Sequence, residues 1–171
     1  MLTFFVALVG FVLSFFEYKR SNKIKRSSYI EPLINKMKSD KDICGMVYML
    51  QYGKFVYTEN FHDGGELERK LDKTLQYFSY LCYLKDKHII SSEEFSFFEL
   101  EISQALRDED LINYLYNLFH FVCKVQGYNH TKSDLKKSIY GYLLYYAQNK
   151  RLIDNSFFDT NEVKYPHYLN F

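Results

Sequence analysis

From Met1 to Phe16 the chain reads MLTFFVALVGFVLSFF without a charge, and the next ten residues hold Lys19, Arg20, Lys23, Lys25 and Arg26. An α-helix rises about 1.5 Å per residue, and a bilayer core of about 30 Å takes about 20 residues. Leu2 to Tyr18 lies at the short end of that range, apolar on all sides. Tyr18 is placed for the headgroups, and Lys19 can snorkel toward them. The pattern predicts a transmembrane anchor over residues 1–18 and a basic juxtamembrane linker over 19–27. A secretory signal peptide fits less well, because nothing basic precedes Leu2 and the run ends in Ser14, Phe15, Phe16 and Glu17 rather than small residues. A buried core helix is the remaining reading. By the positive-inside rule the collar puts the N-terminus outside and residues 28–171 in the cytoplasm, at the cell inner membrane.

Beyond the collar the periodicity is that of an all-α bundle. Ser27 or Ser28 can cap a short helix to about Lys38, with Pro32 in its first turn. Ile43 to Thr58 reads as helix through Met46 and Leu50, although Gly53 and the following FVYT also allow an extended segment. Leu67, Leu71, Leu75, Phe78 and Cys82 share one face of a helix ending near Lys87. Ser91 and Glu94 form a capping box, opening a helix buried through Phe95, Phe98, Ile102 and Leu106. A helix from Glu109 to Gln126 has the broadest apolar face and is expected to be central, with Gly127 as its C-cap. A last long helix is predicted from Lys132 to Lys150. The tail carries Phe157, Phe158, Tyr165, Tyr168 and Phe171, and is expected to dock on the bundle or on a neighbouring subunit. Short connections between antiparallel helices make a compact domain.

Composition adds limits. With 22 Lys and Arg against 21 Asp and Glu the net charge is +1, so no general affinity for double-stranded nucleic acid is expected. Tyr (17) and Phe (16) are abundant while Pro (2) and Gly (7) are scarce, which favours helices. Cys44, Cys82 and Cys123 are odd in number and widely spaced, as for buried thiols in a reducing compartment. Neither disulfides nor a metal site nor a cofactor is predicted.

The search for chemistry gives no catalytic motif. His62, His88, His120, His130 and His167 are scattered, without HExxH, GxSxG, GxxxxGK[ST] or GxGxxG. Glu93, Glu94, Glu99 and Glu101 suit a solvated helix start. His120, between Phe119 and Phe121, reads as a packed histidine rather than a base. An enzyme is therefore not expected. One constellation suits an anionic ligand: Tyr128, Asn129, His130, Thr131, Lys132, Lys136 and Tyr140. The residues from Tyr128 to Lys132 sit where a helix begins, and its outward N–H groups favour phosphate. Asn129 and Thr131 can hydrogen-bond, His130 and Lys132 can approach phosphate, and Tyr128 or Tyr140 can stack a base. The plainer alternative is an N-cap followed by exposed lysines. A weaker site is the His62–Gly65 turn before Glu66, where Asp63 and Glu66 would repel an anion.

The stretch LDKTLQYFSYLCYLKDKHIISSEEFSFFELEISQALRDEDLINYLYNL, Leu71 to Leu118, is similar to small bacterial single-pass, membrane-anchored helical proteins of unknown function. In layout, an N-terminal membrane segment joined to a cytosolic domain, the chain resembles the small membrane effectors that accompany type III CRISPR systems. That resemblance implies a non-enzymatic effector of antiviral defence, a homo-oligomer that senses cyclic oligoadenylate and signals to the membrane. The competing expectation is a membrane-tethered adaptor whose aromatic tail contacts a partner protein.

Overall fold

The structure is a computed structural model that describes residues 2–127, 135–158 and 164–169. Every regular element among them is helical, which makes the fold all-α. The chain divides between Ser39 and Asp40 into two compact units.

The first unit is one helix, α1, Leu2–Ser39. It passes without a break through the basic collar, so the short helix expected from Ser27 is its C-terminal part. Ser28 does not cap: its hydroxyl donates back to the Lys25 carbonyl at 2.8 Å, a bond that serves a helix already under way. Pro32 lies inside the helix rather than in a first turn and removes one i→i−4 bond. Phe11, Phe15, Phe16 and Tyr18 are exposed. Among the described residues no helix is long and apolar enough to cross a membrane. The uncharged run covers about 24 Å at helical rise, short of a hydrocarbon core of about 30 Å, and Glu17 and the collar follow at once. The anchor expected over 1–18 thus finds no helix of sufficient apolar length.

The second unit contains α2 (Lys41–Gln51), α3 (Glu66–Asp86), α4 (Ser92–Ala105), α5 (Glu109–Gln126) and α6 (Gly141–Asn149). Asp40 caps α2 by accepting from the Asp42 and Ile43 amides. Lys73 of α3 binds Asp40 and Asp42 at 2.9 and 2.7 Å, tying that cap to the next helix. The capping box of α4 has both reciprocal bonds, and Gly127 ends α5 in the left-handed conformation, at φ 66°.

The hub of the helix packing is α3, which lies against α2, α4 and α6 with Leu71, Leu75, Phe78, Leu81 and Cys82 buried. The expected centre, α5, is buried from Tyr114 to His120, yet irregular aromatic segments supply much of its cover. Residues 52–65 form no regular element. Gly53 at φ 59° turns the chain out of α2, and Phe55, Tyr57 and Phe61 go into the core. Tyr57 and Phe61 meet Tyr114 edge-on. The tail covers the same helix: Phe157 and Phe158 pack on Phe119. His120 is buried as expected, with Nε2 donating to the Phe157 carbonyl at 2.7 Å.

The long helix expected over Lys132–Lys150 is broken in its described part. A 3₁₀ turn covers Leu135–Lys137, and α6 begins only at Gly141. Between them the Ser138 hydroxyl donates to the Leu135 carbonyl at 2.7 Å, and Tyr140 stands in the left-handed region, at φ 50°. A continuous helix cannot contain such a residue.

Candidate functional site

Of the residues singled out for anion binding, Tyr128, Asn129, His130, Thr131 and Lys132 lie outside the described residues. Lys136 and Tyr140 are described and stand on the turn before α6. Lys136 Nζ is 2.6 Å from Asp86 Oδ1 and lies over the Tyr145 ring, 3.9 Å from its centroid, and 5.7 Å from that of Tyr142. The Asp86 hydrogen bond raises its pKa, so the ammonium stays charged. Tyr140 is 5% exposed, and its hydroxyl donates to Asp72. Burial, then the neighbouring Tyr114 and Asp72, raises its pKa and keeps the phenol neutral. Tyr140 therefore braces the turn against α3 instead of offering a free ring face.

Other rings line a cleft beside it. Tyr80 and Tyr83, on α3, stack with centroids 6.3 Å apart and planes at 21°. Tyr142, on α6, meets Tyr83 edge-on at 5.0 Å. With Gln76, Ser79 and the buried Tyr140 these residues line a cleft of about 240 Å³. Tyr80 is 45% exposed, and Lys136 stands at the edge through its contact with Tyr142. A planar heteroaromatic ring could lie on the tyrosines with an attached anion near Lys136. Sequence spacing missed Tyr80, Tyr83 and Tyr142, because the first two belong to α3 and the third to α6, with no local pattern linking them.

The weaker candidate, the His62–Gly65 turn, is corrected by its hydrogen bonds. The Gly64 amide donates to Glu68 Oε2 at 2.8 Å and the Gly65 amide to Asp63 Oδ1 at 2.6 Å. The chain's own carboxylates occupy the donors that an anion would need. His62 faces inward instead. Asn117 Nδ2 donates to the Tyr57 oxygen at 2.8 Å, which leaves the Tyr57 hydroxyl to donate to His62 Nε2 at 3.0 Å. His62 Nδ1 then donates to Glu68 Oε1 at 3.0 Å. The acid cluster of α4 is partly recruited too, since Glu99 accepts from Tyr146 at 3.0 Å and pairs with Lys150 at 2.6 Å.

Cys82 and Cys123 are buried, and burial raises both thiol pKa values, which disfavours thiolate. No cluster of His, Cys, Asp and Glu among the described residues could hold a metal ion. Comparison of the chain with protein-family models, with characterised proteins and with solved structures gives no match.

Proposed function

We propose that the chain is a membrane-associated, non-enzymatic effector whose helical domain senses an anionic nucleotide of the cyclic oligoadenylate type in antiviral defence. The observation that carries this reading is the meeting of Tyr80, Tyr83 and Tyr142 in one cleft with Lys136 at its edge. Rings of this kind stack bases without regard to sequence, and a lysine supplies a point charge for phosphate. The near-neutral protein needs only local charge if a homo-oligomer repeats the site around one ligand. Membrane association draws on α1, where exposed Phe11, Phe15, Phe16 and Tyr18 directly precede the cationic collar. Such a junction suits attachment of α1 among anionic headgroups, with the helical domain on the cytoplasmic side.

Calorimetric titration of the full chain with cyclic tri-, tetra- and hexa-adenylate tests this. One ring size should bind, at fewer than one ligand per chain, and Tyr142→Ala should weaken it about tenfold. Failure of every ring to bind would move the argument to the adaptor. That second reading has its own observation: Tyr48 and Tyr52 stack in parallel at 6.1 Å and, with Val56, are exposed. The aromatic tail is engaged within the helical domain, with Phe157 buried and the Tyr165 amide bound to Asn117.

A further inference from the structure

We propose that a cleft between α5 and the tail binds a free apolar α-amino acid, with its side chain on the cleft floor, its ammonium on Asp154 and its carboxylate on Lys164. The site is separate from the tyrosine cleft and does not rest on the nucleotide reading. Its volume is about 340 Å³, at the small end of the range for ligand sites, about 300–1,000 Å³. Ile112 and Tyr116 stand four residues apart on α5 and so share one face of that helix. Leu152 and Phe157 of the tail close the other side, and the lining carries two charges of opposite sign, Asp154 and Lys164.

Both charges are positioned. Asp154 Oδ1 accepts from the Ser156 hydroxyl and from the Phe157 amide, the latter at 3.2 Å. The Ser156 bond, and more weakly the Lys164 charge, favour the ionised carboxylate. Its second oxygen has lone pairs of its own to offer an ammonium. Lys164 Nζ lies over the Tyr116 ring, 4.4 Å from the centroid. The next residue, Tyr165, is held by Asn117 through both its amide and its carbonyl. The Phe157 carbonyl accepts from His120 at 2.7 Å, which fixes the tail wall to α5.

Asp154 and Lys164 share the cleft without forming a salt bridge with each other among the described residues. A phosphate or a simple carboxylate would be repelled by Asp154, and a simple amine by Lys164. A group with both charges on one carbon meets neither penalty. Free α-amino acids are such groups, whereas a residue inside a peptide has given up both charges. The apolar floor then selects the side chain: its burial supplies affinity, and the two charges supply orientation.

The full chain is titrated calorimetrically with L-phenylalanine, L-leucine, glycine, 2-phenylethylamine and 3-phenylpropionate, as wild type, Asp154→Asn and Lys164→Met. Asparagine keeps the side-chain cap on the Phe157 amide, methionine keeps an apolar stem on Tyr116, and thermal unfolding checks that both variants fold. The expected result is that phenylalanine or leucine binds at least tenfold tighter than glycine, the amine and the acid. Asp154→Asn should reduce phenylalanine to the level of the acid and leave the acid no weaker. Lys164→Met should reduce it to the level of the amine and leave the amine no weaker. Equal binding of phenylalanine, amine and acid by the wild type, a preference that survives both variants, or no binding of either amino acid at millimolar concentration would overturn the site. None of these outcomes bears on the tyrosine cleft, which the adenylate titration tests by itself.

Discussion

Asn117 pairs with the backbone of Tyr165 on both sides: its Nδ2 donates to the Tyr165 carbonyl at 3.0 Å, and its Oδ1 accepts from the Tyr165 amide at 3.1 Å. The side chain is 0% exposed, so α5 holds the tail by a bond pattern that a neighbouring strand would otherwise provide. The same carboxamide also donates to Tyr57, which stands edge-on to Tyr168 at 5.0 Å. Asn117→Ala should leave two backbone groups and the Tyr57 oxygen short of partners, at a cost of about 2–3 kcal/mol. The urea midpoint should fall accordingly, and trypsin should cut after Lys164 sooner than in the wild type. Unchanged proteolysis would mean that the tail is held by its rings alone.

Two buried tyrosines, Tyr57 under that tail and Tyr146 on α6, make stability fall at alkaline pH. Burial pushes Tyr57 from its ordinary 10.0 up to about 12, and burial likewise pushes Tyr146 up to about 12. The neutral phenol is favoured in the folded state, so the contribution is complete below pH 10. It is lost as pH rises from 10 toward 12, when the unfolded chain ionises first. Each such tyrosine costs up to about 1.4 kcal/mol per pH unit in that window. Urea midpoints at pH 8, 10 and 11 should be flat over the first interval and drop over the second. Tyrosinate absorbance should appear together with unfolding.

What was legible in the chain was what local chemistry decides. The starts of α4 and α5, the Ser91–Glu94 box and the glycine stop at Gly127 follow from caps and periodicity, and the structure has them within a residue or two. The helix read over Ile43–Thr58 stops at Gln51, because Tyr57 and Phe61 are buried against Tyr114 of α5 rather than by an element of their own. The break at Tyr140 was hidden for a related reason: a left-handed tyrosine has no sequence signature when its support is Asp72, far back on α3. Lys136 was legible as a cation near the start of the helix expected over Lys132–Lys150. Its partners Asp86, Tyr142 and Tyr145 were not, since only the turn brings them to it.

That turn depends on Gly141. A Cβ there would run into the Leu135 carbonyl oxygen and come within 2.8 Å of the Lys136 carbonyl carbon. Backbone, not a flexible side chain, stands in the way. Gly141→Ala should therefore cost about 2–3 kcal/mol and shift Lys136 off Asp86 and the Tyr142–Tyr145 face. Thermal unfolding would show the first effect. Weakened adenylate binding at a temperature where the variant remains folded would show the second.

Two helix ends offer a matched pair of opposite sign. α3 closes with His88 in the left-handed region, at φ 55°, and the Ile89 amide donates back to the Leu84 carbonyl at 2.9 Å, the pattern of a Schellman end. α5 closes with Gly127 at φ 66°, and a Cβ added there would meet nothing within 4 Å. His88 is exposed and Gly127 has room for a Cβ, so the backbone preference decides the sign at each position. His88→Gly should therefore stabilise by about 0.5–1 kcal/mol, and Gly127→Ala should destabilise by about 1 kcal/mol. Paired urea titrations read the two directly. A loss on His88→Gly would mean that the imidazole makes a contribution large enough to outweigh its strained backbone.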